Sequence, residues 1–503
     1  MPGGFLEYIN RAPGSASRAV RLTVPPPGSK GRYLTLSHRW GSQHHLRLTK
    51  SNLGALQKGI GFSSLPKTYR DAVIVTAQLG YRYLWIDALC IIQDDPQDWL
   101  QESAEMCTVY HNSCCTIFAH ASRHDDDGFL GPSRSDRSPD SPSTINKRGW
   151  VFQERILSRR ILHFARGGVF FEDASGIYTS HIWEGTYEER RAVPRGLANN
   201  PLLQDQKPNL DDSMEKPTKW YELIEKYTEC QLTYDTDRLP AVEGLARYYR
   251  ELNAEAAYIF GIWLSSLHQG LLWVETDPCP MPELPLPRGG GGHSNVPKPP
   301  SWSWAKWPTV RYPLHLAWCQ PFELALAPLL DDNPLIPNQP AQPSLDSAST
   351  AVVAAKIART GILTVQLRVA HWRGVTAKRQ EWTTGRRCPS FLDKKPRNLY
   401  DFVNFPAHWP PLWVALDGER GDVVQYDELS LALLAIHVKV THYYVESDDA
   451  HDGEQRLHKQ YTHYFLVLRK VGEGTNRYRR VGVGAVAWRP WWRDLGQEVI
   501  EIE

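Results

Sequence analysis

Neither sign of charge is in excess: Lys and Arg number 57, Asp and Glu 56, and the net charge is +1 with histidines neutral. That balance argues against a nucleic-acid-binding protein, because polyanion binding draws on clustered positive charge. Long apolar runs are missing as well. The best of them, Leu429 to Val440, is broken by Ser430, His437 and Lys439, so no membrane-spanning segment of about 18 apolar residues is expected. The opening residues, Met1 to Phe5, carry neither the basic and apolar segments of a secretory signal nor a myristoylation pattern, and Glu503 ends the chain without a prenylation cysteine. The eight cysteines, at 90, 107, 114, 115, 230, 279, 319 and 388, form no CxxC pair. Zinc spacing is therefore absent and a disulfide framework is not expected, which points to a reducing, cytoplasmic setting and to no metal.

What is present is tryptophan, 19 residues in 503. Each supplies large buried area with one N–H to satisfy, so the cores are expected to be aromatic. The length suggests roughly three domains. Residues 1–30 show little periodicity and run into Pro25, Pro26, Pro27 and Gly28, the reading of an N-terminal arm. Tyr33 to Ser37 reads as a short buried strand. A helix starts near Pro66, with Ser64 as cap and Gly80 at its far end. Tyr83 to Ile86 reads as a second strand ending on Asp87. Asp95-Pro96 then opens a helix that places Asp98, Glu102 and Glu105 on one stripe. Cys115 to His120 is a third strand, Trp150 to Leu157 a last helical piece, and strand-like runs follow at 160–164 and 168–171. Strand and helix in alternation with short connections predict an α/β fold with a parallel sheet. Helical spacing dominates 191–330 and a linker is expected at 331–350, with a second loop at 278–300 around Gly289 to Gly292. Alternating and β-branched runs make 351–503 β-rich.

Several constellations can be set aside. Gly289 to Gly292 has no preceding strand and no following Lys-Ser/Thr, so it is not a phosphate loop. Gly482-Val483-Gly484 lacks the rest of a dinucleotide fingerprint. There is no GxSxG elbow. His44-His45 has no ligand set at metal spacing. Cys90, among Leu89, Ile91 and Ile92, reads as a small buried hydrophobe.

Four runs together carry a resemblance: YLTLSHRWG at 33–41, LPKTYRDA at 65–72 leading to LGYRYLWIDALCIIQD at 79–94, Asp98-Trp99 with Glu102, Met106 and Tyr110-His111-Asn112, and RGWVFQERILS at 148–158. In order and spacing they resemble the fungal heterokaryon incompatibility (HET) domain, here taken as 31–190, with His38 standing where the family commonly has tyrosine. Two further runs, DRLPAVEGLA at 237–246 and PSWSWA at 300–305, are similar to segments that follow the domain in larger fungal proteins. The resemblance implies non-self recognition and regulated cell death. It also implies a distant likeness to TIR domains, some of which cleave NAD at the nicotinamide bond.

In an open parallel sheet, ligands bind beyond the carboxyl ends of the strands. Ser37, His38, Arg39 and Asp87 follow directly from expected strand ends. On TIR-like chemistry, Trp99-x-x-Glu102 resembles the stretch whose helix glutamate is catalytic. Glu102 would then stabilise an oxocarbenium-like state, with Arg39 on a phosphate, Ser37 on pyrophosphate or ribose, and Asp87 as a further ligand contact. Each residue also has a plainer reading. Asp87 caps a turn or pairs with an arginine; Asp98, Glu102 and Glu105 form a solvated acidic first turn. Trp40, Trp85, Trp99 and Trp150 are core. Arg148, Gln153 and Glu154 build a buried polar network. Two functions stay open: an interaction module that self-assembles or docks a protein partner, and an enzyme that takes NAD as substrate without a bound cofactor.

Overall fold

A computed structural model describes residues 4–9, 19–26, 28–40, 46–130, 145–165, 168–173, 176–179, 216–253, 257–276, 298–313, 319–321, 325–326, 347–379, 399–402, 413–417, 423–445, 454–472, 474–487 and 495–503. Gly41, His44-His45, the Gly289 to Gly292 run and most of the expected linker lie outside these. The chain divides into two compact units, one formed by Met1–Leu210, Cys230–Leu252 and Leu286–Val296, the other by Asp211–Glu229, Asn253–Pro285 and Pro297–Glu503. The region expected as a helical middle is thus shared between them.

The first unit is built on a nine-stranded sheet. In chain order its elements are β1 (Phe5–Ile9), β2 (Ala19–Thr23), β3 (Tyr33–Ser37), α1 (Leu53–Lys58), β4 (Ile60–Gly61), α2 (Lys67–Gln78), β5 (Tyr83–Trp85), α3 (Asp87–Cys90), α4 (Pro96–Asn112), β6 (Cys115–Phe118), α5 (Gly149–Leu157), β7 (Ile161–Ala165), β8 (Gly168–Asp173), β9 (Gly176–Thr179) and α6 (Pro240–Asn253). The strand order is β4-β2-β1-β5-β3-β6-β7-β8-β9. β5, β3, β6 and β7 run parallel, and antiparallel strands extend this centre on both sides. The mixed α/β architecture with a mostly parallel centre agrees with the sequence reading.

Residues 1–30 differ from the arm that was expected. Phe5, Leu6, Val20 and Leu22 are buried, and β1 pairs with both β2 and β5. The physical reason is a clamp that no local pattern announces. Glu7, at the centre of β1, is buried and forms ion pairs with Arg21 of β2, at 2.7 Å, and Arg82 beside β5. The charge is compensated, so the strand can enter the sheet.

The helices follow from their ends. Asp95 caps α4, its carboxylate accepting from the Gln97 amide at 3.0 Å, with Pro96 in the first turn. At α2 the cap position is Pro66 without a side-chain bond, and Ser64 belongs to the preceding 3-10 turn. Gly80, at φ +78°, ends α2 as expected. α4 is tied to the sheet by the Tyr33 hydroxyl, which donates to the Val109 carbonyl at 2.8 Å. α6 packs so closely on α4 and α5 that a Cβ on Gly244 would lie 2.6 Å from Cys107 Cβ.

The second unit holds another nine-stranded sheet with long antiparallel strands at Leu363–Arg379, Val423–Val445, Glu454–Lys470 and Arg477–Ala487. The expected β-rich C-terminal part is therefore present. The helix Ser347–Thr360 begins inside the segment read as a linker. Its aromatic core includes Trp220, Trp263, Trp273, Trp302 and Trp304, all fully buried. Among the described residues, no helix is long and apolar enough to cross a membrane.

Candidate functional site

The chain runs from β3 to β5 on one side and returns to β6 on the other, so β3 and β6 flank the topological switch of the parallel strands. Ligands of open parallel sheets bind at that point. Ser37 is the last residue of β3 and is fully buried. His38 follows, enclosed by three groups: Tyr69 Oη at 3.2 Å, Asp125 Oδ1 at 3.2 Å and Asp87 Oδ1 at 3.8 Å. Burial alone would lower the pKa of His38; Asp125 and Asp87 outweigh it and raise it, against a smaller opposing effect of Arg148.

Motif residues of α2 build the wall that brings Asp125 to His38. The Thr68 amide donates to the Asp125 carbonyl at 2.8 Å, and its hydroxyl bonds Ser122 Oγ at 2.7 Å. Lys67 Nζ donates to the Asp127 carbonyl at 3.0 Å. The Asp71 carboxylate accepts from the Phe129 and Leu130 amides at 2.7 and 2.9 Å. Gly128 turns at φ +69°, where a Cβ would meet Asp71 Oδ2 at 2.6 Å. LPKTYRDA is thus a loop-holding motif, with Tyr69 its contribution to the site.

Asp87 opens α3 and combines both roles considered for it. Its carboxylate accepts from the Ala88 amide at 2.8 Å, a capping contact, and from Trp40 Nε1–H at 2.9 Å. Its side chain stays 23 % exposed, and Arg39 and Trp40 beside it are half-buried. Burial, then the neighbouring Arg148, lowers the Arg39 pKa.

The run 148–158 closes the site from α5. Arg148 Nη1 donates to the His38 carbonyl at 2.8 Å. Gln153 Oε1 accepts from the Leu245 amide of α6 at 3.1 Å. Glu154 is buried, and burial followed by the Asp87 charge pushes its carboxyl up to about 7, against opposing effects of Ser37, Arg148 and His38. Tyr110 of α4 also faces Glu154, and its hydroxyl donates to the Leu36 carbonyl at 3.3 Å. Of the polar network expected of Arg148, Gln153 and Glu154, Arg148 and Glu154 adjoin each other and Ser37 and Asp87, whereas Gln153 is engaged with α6.

The next residue on α5, Arg155, joins a second network. Arg155 Nη2 and His163 Nε2 both reach Glu172, at 3.3 and 2.6 Å, and His120 Nε2 lies 2.8 Å from His163 Nδ1. Burial would raise the pKa of Glu172, but His163 and Arg155 lower it. Nothing in the sequence pattern singled out these residues, because β6, β7 and β8 bring them together only in the folded sheet.

Ser37, Arg39 and Asp87 all belong to the strand edge. Glu102 is placed differently. It sits on α4, buried rather than on a solvated face, because α5 and α6 cover that helix. Burial, then Asp98 and Glu105, raises its carboxyl to about 7, and its Oε2 has no hydrogen-bond partner among the described residues. Asp98 instead accepts from the Ile92 amide at 2.7 Å, and Glu105 pairs with Arg247 at 3.3 Å. No hydrogen bond or ion pair among the described residues joins Glu102 to Ser37 or Asp87, although the buried Cys90 thiol feels both Asp87 and Glu102. Of the tryptophans, Trp85 is fully buried, while Trp99 and Trp150 pack edge to face at 6.0 Å.

Neither the curated proteins nor the solved structures contain a match to this chain. The family model described as "Heterokaryon incompatibility protein (HET)" matches residues 33–145. That span carries β3, α2, β5, α3, α4, β6 and the loop of Asp125, the elements that enclose His38 and Asp87. Residues 33–145 of the chain thus carry a heterokaryon incompatibility domain.

Proposed function

We propose that the protein is a heterokaryon-incompatibility-type signalling protein of a fungal cytoplasm, acting in non-self recognition and regulated cell death through assembly of its HET domain. The observation that carries this reading is the family match over 33–145, placed on a sheet unit whose motif residues enclose one site. Assembly would bring that unit into contact with a second copy or a protein partner. The test is expression of the full chain in a fungal host together with its size by light scattering. Death that tracks a shift to oligomers supports the reading; killing by a chain that stays monomeric refutes it.

A second reading, cleavage of NAD at a TIR-like site, is favoured by one observation. The Ser37 hydroxyl is buried at a strand end, beside Asp87 and Arg39, and has no hydrogen-bond partner of good geometry among the described residues. A hydroxyl placed there, with Glu154 as its neighbour, can turn toward a bound ribosyl or phosphate oxygen. Arg39 suits a phosphate and Asp87 a ribose hydroxyl, with Glu102 the catalytic carboxylate that the family resemblance implies. Nicotinamide release from NAD by the purified chain tests this reading.

A further inference from the structure

Two buried carboxyls of the first unit compete for the role of reacting group, and their surroundings separate them. Glu154 is 5 % exposed. It is faced by Ser37 and His38 from the end of β3, Asp87 from α3, Tyr110 from α4 and Arg148 from α5. The fully buried Ser37 hydroxyl lies next to it and favours its charged form. The other end of this network, Asp87 with half-buried Arg39 and Trp40, reaches solvent. Glu102 is raised by burial and by the carboxylates Asp98 and Glu105, and no hydrogen bond or ion pair among the described residues joins it to the strand end. A ligand oxygen that satisfies Ser37 therefore meets Glu154 and Asp87, not Glu102.

Resting on the NAD-cleavage reading, we propose that the two carboxylates that meet the ribosyl group are Asp87 and Glu154, with Asp87 facing the charge that develops at the anomeric carbon and Glu154 accepting the proton of the attacking water. In that step the C1′–N bond breaks and its electron pair stays on the departing neutral nicotinamide. A C1′–O bond forms to water, and the water proton passes to Glu154 and on to solvent. NAD and water give ADP-ribose, nicotinamide and one proton. The partners of Asp87 suit its part: Trp40 Nε1–H and the Ala88 amide donate to it, and the His38 ring lies 3.8 Å away. Glu154, held near neutrality by burial and by Asp87, suits reversible proton transfer. Environments that differ in this way divide two carboxyls between two roles.

The experiment follows nicotinamide release by the full chain across the pH range around neutrality, for the parent, Glu154→Gln, Glu154→Asp, Asp87→Asn and Glu102→Gln. Glu154→Gln is expected to lower kcat by about 100-fold or more, with KM changed far less, and to abolish the fall in rate below neutral pH. Glu154→Asp, which keeps the carboxyl, is expected to retain that fall. If the acid limb persists in Glu154→Gln, or disappears in Glu102→Gln, the assignment is overturned. A parent chain that releases no nicotinamide refutes cleavage itself, and calorimetric binding of ADP-ribose then decides the carboxylates. Weaker binding in Asp87→Asn, with loss of its pH dependence in Glu154→Gln, supports their place at a ribosyl site. Binding indifferent to both changes, or none by the parent, overturns it. Thermal unfolding of each variant separates these effects from misfolding.

Discussion

Glu154 and Glu172 are both buried beside α5, yet their proton affinities move in opposite directions. Glu172 receives Arg155 and His163 in direct contact, so its charge is compensated and its pKa falls below the ordinary carboxylate value. At Glu154 burial and the Asp87 charge outweigh Ser37, Arg148 and His38, and its pKa rises to about 7. Adjacent residues of one helix, Glu154 and Arg155, thus serve two unlike networks. Burial pushes both up; what separates them is the balance of the neighbouring charges. The paired network belongs to the fold. The unpaired one keeps a carboxyl free to change its charge near neutrality.

The sharpest way to break the contrast is to remove the cation from the paired side. Arg155→Met removes a cation from the buried Glu172 charge, and is expected to cost about 3–5 kcal/mol in denaturant titrations of the chain. A loss within ~1 kcal/mol would show that the pair contributes little. On the unpaired side the effect depends on pH. The folded pKa of Glu154 is raised, so its stabilising contribution is complete below the unfolded value and is lost as pH rises through about 7. Between pH ~4.5 and ~7 the parent is expected to lose stability relative to Glu154→Gln at about 1.4 kcal/mol per pH unit. Glu172 has the opposite sign: its contribution is present above the unfolded value and is lost as pH falls through its lowered folded value. A smaller effect sharpens the account of the Asp125 loop. Asp71→Ala strands the Phe129 and Leu130 amides and is expected to cost about 2 kcal/mol, with faster hydrogen exchange over 122–130. The smallest, about 1 kcal/mol, is expected for Asp95→Ala at the α4 cap.

Local pattern revealed the parallel centre of the first unit. β3, β5, β6, α2 and α4 are each announced by burial period or by an end signal, and the Asp95-Pro96 start of α4 stands where its cap and proline put it. β1 and β2 were illegible because Glu7 interrupts an apolar pattern, and Arg21 of β2 and Arg82 beside β5 make its burial tolerable. The strand-end residues Ser37, Arg39 and Asp87 were readable from chain order alone. Asp125 was not, since 87 residues separate it from His38 and the contact depends on the loop that Thr68 and Asp71 hold. Glu154 stood in the fourth motif as a member of a buried polar network; its closeness to Ser37 arises from how α5 lies over the sheet. Glu102 read as an exposed helix stripe because nothing near it in sequence foretells α6, which comes from 240–253 to cover α4.

The most direct test is an infrared titration of protonated carboxyl groups in the full chain, with and without ADP-ribose, against Glu154→Gln as the subtraction. The account predicts a carboxyl that titrates near pH 7, vanishes in the variant and shifts its midpoint when the ligand is added. A Glu154 carboxyl that titrates in the ordinary range near 4.5, or one whose midpoint ignores the ligand, would contradict it.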